Sequence, residues 1–377
     1  MKFSCLQENL AKGLAIVGRA VATRSTLPVL SNILIATDDG RLKLSATNLE
    51  VGVNCWVGAK VKEDGATTVP ARLLTDFVHS LPAERIDVEL ATRTQTLNLK
   101  CSNYEANIKG IDAQEFPILS VVSDNTPVSL EPATIRQMIN QVSFAAAVDE
   151  SRPVLTGVLA EISDGKLTMA AADGFRLSVR KIDLPDPAPA DSKVIIPARA
   201  LQELARISAE EDEPIRMTIA ANRSQVYFQL KDIDLISQLV EGNFPDYNQI
   251  IPTSHATHTV ADVGELLKAV KIASLFARDA ANVVRMRFTP GEESMGGRVT
   301  VMATSADLGD NVTEISAAVE GEALEIAFNA KYLSEVFSVM SAPQVTLETS
   351  SPSSPGVIQP VGDDSFVHVI MPMHIAH

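Results

Sequence analysis

One short phrase occurs three times in this chain, and it constrains the fold more than any other feature. Residues 69–77 read VPARLLTDF, residues 196–204 read IPARALQEL and residues 328–336 read FNAKYLSEV. Each copy has an apolar residue, a Pro-Ala or Asn-Ala pair, one cation and then an amphipathic run. This order is typical of the start of a helix with one buried face. The chain is therefore built from a repeated unit.

Other patterns recur around the three phrases. A helical pattern precedes each phrase, and a predicted hairpin follows that pattern, with Asp-Gly turns at residues 39–40 and 164–165. Runs such as residues 85–111 alternate with period two and hold no crossover helix, which favours antiparallel sheets and an α+β fold. The predicted helices cover residues 6–22, 71–81, 131–148, 198–208, 262–278 and 330–340. The predicted hairpins cover residues 30–48, 155–173 and 283–305, and the predicted domains cover residues 1–125, 127–253 and 254–377.

The composition is that of a globular protein with filled cores. Apolar residues make up 46% of the chain and charged residues 21%. No apolar run approaches the roughly 20 residues of a membrane span, and the first residues lack a signal-peptide pattern, so we expect a cytoplasmic location. The three cysteines, Cys5, Cys55 and Cys101, lack the spacing of a metal site and are interpreted as core residues.

Motifs that carry chemistry are scarce. The sequence has no GxxxxGK[ST] loop, no GxGxxG, no HExxH and no GxSxG. His255 with His258, and His374 with His377, have HxxH spacing without an acidic or cysteine neighbour in sequence, so we expect no metal and no cofactor. Asp173 has two interpretations, a catalytic carboxylate at a strand end or an ordinary turn residue.

Charge is distributed unevenly between helices and strands. The six predicted helices hold ten Lys or Arg against seven Asp or Glu, a net charge of +3. Because the whole chain carries −15, the remainder carries −18. One interpretation is a solvated helix face. The other is a shared cationic surface formed by three similar units, which suits contact with regularly spaced phosphates independent of base sequence.

Several segments resemble one known family. They are MKF at the start, TLPVLSNILI (26–35), TTVPAR (67–72), RPVLTGVL (152–159), ADGFRL (172–177), EGNFPDY (241–247) and VIMPM (369–373). In this order and spacing they resemble the bacterial DNA polymerase III beta subunit family, the sliding clamps, over the whole chain. The resemblance implies three domains of the DNA clamp fold and a ring of two chains joined head to tail. Helices would line the inside of that ring and antiparallel sheets the outside.

The resemblance also implies a function without chemistry. The ring would encircle double-stranded DNA and act as a processivity factor, so the protein would not be an enzyme. The matching DNA-contacting positions are Arg24, Arg72, Arg152 and Arg199, with Lys12, Arg278 and Lys331 as neighbours. The alternative for Arg72, Arg199 and Lys331 is a cation that covers the helix start or pairs with a nearby acid.

A second implied site is an apolar groove between the second and third domains. It would receive short peptides from the DNA polymerase III alpha subunit, clamp-loader subunits, other polymerases and repair proteins. Phe175 and the HIAH end depart from the common family pattern and leave the peptide preference open. A closing edge strand is the alternative interpretation of the last positions. The matching residues are Leu155, Ala172, Gly174, Phe175, Arg176, Leu177, Pro245, Val369, Ile370, Met371, Pro372 and Met373.

The implied homodimer would pair residues 104–111 of one chain with the third domain of the other. Ile108, Leu275 and Phe276 are the apolar candidates, and Lys109 would face Asp307, Asp310 or Glu314. Leu275 and Phe276 have intradomain packing as an alternative. Two functional alternatives also stay open: a clamp paralogue that serves repair or inhibitor resistance, and a transferase or hydrolase with its site near Asp173.

Overall fold

The chain folds into two compact units. The structure, a computed structural model, describes residues 1–119, 126–185, 191–278, 281–292 and 296–374. Unit 1 comprises residues 1–133 and 206–239, and unit 2 comprises residues 134–205 and 240–377. The repeat-based division at 1–125, 127–253 and 254–377 stays a prediction. The composition of residues 183–192 also predicts a Pro-rich loop, and its residues 186–190 lie outside the described residues.

All six predicted helices form. The first α-helix ends at Val17 and is followed by a single 3-10 turn, Gly18–Ala20. It ends there because glycine is less favourable in a helix than alanine by about 1 kcal/mol. The third ends at Val142 and is likewise followed by a 3-10 turn, Ser143–Ala145. The short helix α4 (Pro153–Thr156) was not predicted, because its four residues are too few to give a periodic signal. The helices are α1 (Gln7–Val17), α2 (Ala71–Ser80), α3 (Pro132–Val142), α4 (Pro153–Thr156), α5 (Ala198–Ile207), α6 (Val263–Ala277) and α7 (Ala330–Ser338).

The repeated phrase is a helix start in all three copies. Helices α2 and α5 begin at the alanine that follows the proline. Helix α7 is capped by the Asn329 side chain, which accepts hydrogen bonds from the backbone N–H groups of Lys331 (2.9 Å) and Tyr332 (3.4 Å). The cation therefore lies at the second helical position each time.

Unit 1 contains a five-stranded and an eight-stranded antiparallel sheet within its described residues. Their strand orders are β5-β1-β7-β8-β9 and β10-β15-β16-β17-β4-β3-β2-β6. Strand β17 pairs with β4 from Ile233↔Cys55 to Ser237↔Val51, so strands of the first and second repeats share one sheet. The strands are β1 (Lys2–Leu6), β2 (Asn32–Asp38), β3 (Arg41–Thr47), β4 (Val51–Val57), β5 (Lys60–Glu63), β6 (Ala66–Pro70), β7 (Arg85–Ala91), β8 (Thr96–Cys101), β9 (Tyr104–Lys109), β10 (Val128–Leu130), β15 (Ile215–Ile219), β16 (Gln225–Gln229) and β17 (Ile233–Gln238).

Unit 2 contains one twelve-stranded antiparallel sheet in its described part. Its order is β14-β11-β12-β13-β25-β24-β23-β18-β21-β20-β19-β22. Strand β13 pairs with β25 from Arg176↔Ile370 to Arg180↔Phe366, which joins the second and third repeats. The strands are β11 (Gly157–Ser163), β12 (Lys166–Ala172), β13 (Arg176–Asp183), β14 (Ser192–Pro197), β18 (Thr257–Asp262), β19 (Val283–Thr289), β20 (Arg298–Ser305), β21 (Gly309–Gly321), β22 (Leu324–Asn329), β23 (Gln344–Thr349), β24 (Gly356–Pro360) and β25 (Phe366–Ile370).

The two predicted Asp-Gly turns close hairpins β2–β3 and β11–β12. Both residues of each turn have positive φ angles, 47° and 75° at Asp39 and Gly40, and 52° and 72° at Asp164 and Gly165. A two-residue turn of this kind matches the right-handed twist of the strands it joins. The hairpin predictions, and with them the antiparallel α+β fold, are confirmed.

Each unit buries the apolar faces of its helices against its own elements. In unit 1, α1 packs on α2 and on β4, and Leu14 and Leu74 are fully buried. In unit 2, α6 packs on α7, β20 and β21, and Leu266 and Leu333 lie in one core with Phe366. Burying each such side chain stabilises the fold by about 1.5–3 kcal/mol. The polar faces of these helices are left for solvent or for a partner.

Candidate functional site

A tight turn connects β12 to β13 and projects one aromatic side chain. Asp173 Oδ1 accepts hydrogen bonds from the backbone N–H groups of Phe175 (2.8 Å) and Arg176 (3.0 Å). Gly174 has a φ angle of +95°, which favours glycine. The Phe175 side chain is left 60% exposed. We call residues 173–176 the Phe175 turn.

Arg176 holds this turn from below. Its Nε donates to Asp173 Oδ2 (3.0 Å), its Nη2 donates to the backbone oxygen of Phe144 (2.6 Å), and its Nη1 pairs with Glu335. The guanidinium lies 4.2 Å from the ring centre of Tyr332 and 5.2 Å from that of Phe144. Only 7% of its side chain is exposed. Arg176 is therefore buried, and its guanidinium is bonded to acidic and backbone oxygens and packed against two aromatic rings. These contacts hold the Phe175 turn in position.

Several of the predicted groove residues come together in unit 2, but not all twelve are open to solvent. Leu155, Ala172, Leu177 and Val369 belong to one apolar cluster with Phe244 and Tyr247. Ala172, Arg176, Leu177, Val369 and Ile370 are buried, so they form the floor or the adjoining core. The open or half-buried members, which we call the Phe175 surface, are Leu155, Gly174, Phe175, Pro245, Met371, Pro372 and Met373.

The segment after β25 is hydrogen-bonded to the Phe175 turn and to strand β22. The backbone N–H of Met371 donates to the Phe175 oxygen (2.8 Å), and the N–H of Met373 donates to the Ala327 oxygen (2.8 Å). Met371 is 39% exposed. Flexible, polarisable methionine side chains adapt to varied apolar partners. Of the HIAH end, residues 375–377 lie outside the described residues.

His368 was not predicted from the sequence, and it lies on β25 opposite Ser178 of β13. It is fully buried on β25, 2.7 Å from Ser178 Oγ through Nδ1, and its ring stacks on Phe144 at 5.6 Å. Burial, and secondarily the charge of Arg176, lower the pKa of His368 to about 3. The imidazole is therefore neutral. In the sequence, the only indication that His368 is buried was its position in an alternating strand.

The predicted DNA-contacting cations of unit 1 are exposed. Arg72 is 96% exposed at the start of α2, with its Nε 3.8 Å from Asp76. Lys12 on α1 forms an ion pair with Glu210 at 2.5 Å, and the hydrogen bond to Glu210 raises the pKa of Lys12. Arg24 lies exposed between the 3-10 turns Gly18–Ala20 and Pro28–Ser31. One alternative for Arg72 was pairing with a nearby acid. The only such contact among the described residues, with Asp76, is long and exposed to solvent.

The cations of unit 2 occupy three kinds of position. Arg199 and Lys331 lie exposed at the starts of α5 and α7, and Arg278 follows the end of α6. The Lys331 side chain is 70% exposed, with Nζ 3.9 Å from Glu335 Oε1. Arg152 differs, because its Nη1 is 3.0 Å from where a Cβ atom at Gly174 would lie. Arg152 therefore borders the Phe175 turn as well as being exposed.

The predicted interface residues divide into core and surface. Ile108 is only 3% exposed and belongs to the core of unit 1, so its side chain is not free to contact a second chain. Lys109 beside it is exposed. In unit 2 Leu275 is 57% exposed, whereas Phe276 packs partly against the core of its own unit. Tyr104 lies on the same face of β9 as Ile108, at the other end of the strand, and is 55% exposed.

The remaining candidates for chemistry are the histidine pairs and the cysteines. Within the described ranges, no group of three or more His, Cys, Asp or Glu side chains is placed to hold a metal ion. His255 and His258 stack at 5.6 Å, with His255 Nδ1 3.5 Å from Glu348, an acidic neighbour that the sequence did not reveal. The three cysteines are free and buried, as predicted. Among the described helices, none has the length and apolarity needed to cross a membrane.

Comparisons with known proteins agree over the whole chain. Family models of the DNA polymerase III beta subunit match in order, with the N-terminal domain at residues 1–120, the central domain at 129–246 and the C-terminal domain at 248–374. A protein named beta sliding clamp from Synechococcus elongatus is 32% identical and matches over 100% of both chains. One from Staphylococcus aureus is 31% identical over 99% of each.

Solved structures show the same fold. The DNA polymerase sliding clamp from Bacillus subtilis superposes with a TM-score of 0.93 at 27% identity, and the DNA polymerase III subunit beta from Pseudomonas aeruginosa with 0.90 at 29%, each over 100% of both chains. The predicted three-domain clamp fold is thus confirmed. The chain belongs to the DNA polymerase III beta subunit family, the beta sliding clamps.

Proposed function

We propose that this protein is a sliding clamp, a ring of two chains that encircles duplex DNA and tethers the replicative polymerase as a processivity factor. The observation that carries the proposal is full-length similarity to proteins named beta sliding clamp, with three family domains in order. Such a clamp acts in the cytoplasm and catalyses no reaction. Its effect is mechanical, because topology rather than affinity retains the DNA.

The exposed cations support DNA contact. Arg72, Arg199 and Lys331 hold the same position in three helices, which suits equivalent contacts to phosphates. Each contact is weak, and none reads a base, so the ring is held to the duplex without being stopped. Arg24, Arg152, Lys12 and Arg278 are the further proposed contacts.

The Phe175 surface supports a second activity, the binding of short peptides. It combines an exposed phenylalanine, two methionines and prolines over a packed apolar floor, which suits apolar side chains of an extended peptide. The proposed partners are the DNA polymerase III alpha subunit, clamp-loader subunits, other polymerases and repair proteins.

One observation favours a specialised clamp as the second candidate. The Phe175 side chain is 60% exposed on the turn, so its ring is available to contact a bound peptide. A paralogue that serves repair or inhibitor resistance would differ in this contact. Comparison of a panel of clamp-binding peptides on wild type and Phe175→His tests it. Unchanged affinities across the panel would leave the alternative without support.

An enzymatic site near Asp173 is disfavoured by the geometry. One carboxylate oxygen accepts two backbone N–H groups, and the other accepts Arg176 Nε. A general acid or base needs an oxygen that is free to exchange a proton with a substrate. Asp173 is better described as the residue that shapes the turn.

The deciding experiment measures topological retention. Purified protein is loaded by a clamp loader onto nicked circular DNA, and gel filtration is repeated after the circle is linearised. We expect a dimer that stays on the circle in high salt and is lost from the linear form. A monomer, or equal salt-resistant retention on both DNAs, would refute the clamp.

A further inference from the structure

The Phe175 turn and a proposed DNA contact are connected through one carboxylate on α7. Glu335 presents its two oxygens to two cations: Oε2 pairs with Arg176 Nη1, and Oε1 lies 3.9 Å from Lys331 Nζ. Lys331 and Glu335 are four residues apart and therefore share one face of the helix. Both residues and the turn belong to unit 2.

The two contacts of Glu335 differ in strength. Arg176 is 7% exposed, so its charge is poorly solvated and depends on Asp173 and Glu335 for neutralisation. Lys331 is 70% exposed, and its contact with Glu335 is weak and screened by salt. Glu335 itself is 32% exposed. The Glu335 carboxylate therefore interacts mainly with Arg176, and Lys331 interacts weakly with the same negative charge.

Helix α7 also contributes the aromatic ring of Tyr332, which packs against Arg176. The Arg176 guanidinium lies over the Tyr332 ring at 4.2 Å. Burial, and then the neighbouring carboxylate of Asp173, raise the pKa of Tyr332. A displacement of α7 would thus move two partners of Arg176 together.

We propose that Glu335 is a positioning residue for the Phe175 surface and that it couples peptide binding there to the charge on Lys331. This inference rests on the proposed function. When a phosphate neutralises Lys331, the Glu335 charge acts on Arg176 alone and holds the turn more firmly. Peptide then binds more tightly, and by linkage DNA is held more tightly when peptide is bound. The gain is about twofold, as expected for one exposed ion pair.

The proposal predicts how single and double variants of the full-length protein behave. The probe is a fluorescein-labelled hexapeptide with leucine and phenylalanine side chains, and the control peptide has serine in their place. Glu335→Gln keeps the shape but removes the charge, so probe affinity falls about five- to tenfold, the discounted effect of breaking a partly buried pair. Lys331→Ala removes the competing cation and raises the affinity about twofold. Combined with Glu335→Gln, Lys331→Ala has no further effect.

A matched control separates positioning from general stability. Glu325 on β22 is 29% exposed and pairs with Arg285 and Arg287, so Glu325→Gln is the same chemical change away from the turn. We expect both variants to stay folded at the assay temperature, with the lower unfolding midpoint for Glu335→Gln because Arg176 is buried, and loss of probe affinity only for Glu335→Gln. Affinity of Glu335→Gln within twofold of wild type, or a Lys331→Ala effect that persists in its presence, would overturn this inference alone. Failure of wild type to bind the probe would overturn the peptide surface and this inference with it.

Discussion

Substituting Arg176 tests whether the Phe175 turn is held by the network described above. Arg176→Met keeps most of the apolar stem and removes three charge-assisted hydrogen bonds. Asp173 retains two backbone N–H donors, and Glu335 is exposed enough to be hydrated, so the loss falls at the low end of that for a broken buried pair, about 3 kcal/mol. For a unit of about 200 residues this corresponds to a fall of roughly 6–12 °C in Tm.

The assay is denaturant and thermal unfolding of the full-length protein. Arg285→Met is the control, because Arg285 is 37% exposed and its contact with Glu325 is 3.6 Å, so we expect a loss below about 1 kcal/mol. Arg176→Lys restores the charge without the planar fork and should recover only part of the stability. If the free energy of unfolding of Arg176→Met is within about 1 kcal/mol of the wild-type value, the Arg176 contacts do not hold the turn.

Four further predictions concern other parts of the chain. His368 stays neutral until about pH 3 while the unfolded chain binds this proton below about pH 6.5. Wild type should therefore lose about 2 kcal/mol of stability relative to His368→Gln between pH 7 and pH 5, and parallel unfolding curves over this range would contradict the buried neutral imidazole. Replacing Arg72, Arg199 and Lys331 by alanine should reduce the salt slope of duplex binding by up to about 5 per dimer, whereas alanine at the strand cations Lys62, Lys181 and Arg216 should not. Leu275→Asp should give a folded monomer in sedimentation, because Leu275 is exposed, and Ile108→Ala should lower stability by about 2–5 kcal/mol without being an interface change.

The sequence was sufficient for the elements and insufficient for several side-chain environments. The period-two runs, the Asp-Gly turns and the repeated helix starts depend on local chemistry, so they predicted the helices and hairpins closely. Ile108 and Tyr104 lie on one alternating strand, and only the packed structure shows that the first is covered by its own unit. The sequence alone does not distinguish these two environments.

The environment of Arg176 depends on residues far apart in the chain. Its partners Phe144 and Glu335 lie 32 and 159 residues away. No local pattern predicts such contacts, because the pairing of β13 with β25 brings them together. The same pairing buries His368, which explains why an ordinary strand position acquired a strongly lowered pKa. The resemblance identified the groove positions, but the distinction between floor and open surface came from burial.

The sharing of sheets between repeats determines how this chain can be divided. Strands β4 and β17 pair across the first repeat boundary, and β13 and β25 pair across the second. Cutting at either boundary would leave a row of unpaired backbone N–H and C=O groups on each fragment, the kind of edge that promotes aggregation. Fragments that follow the repeats should therefore associate with one another or precipitate. Mixing two such fragments should restore solubility, since each supplies the strand that the other lacks.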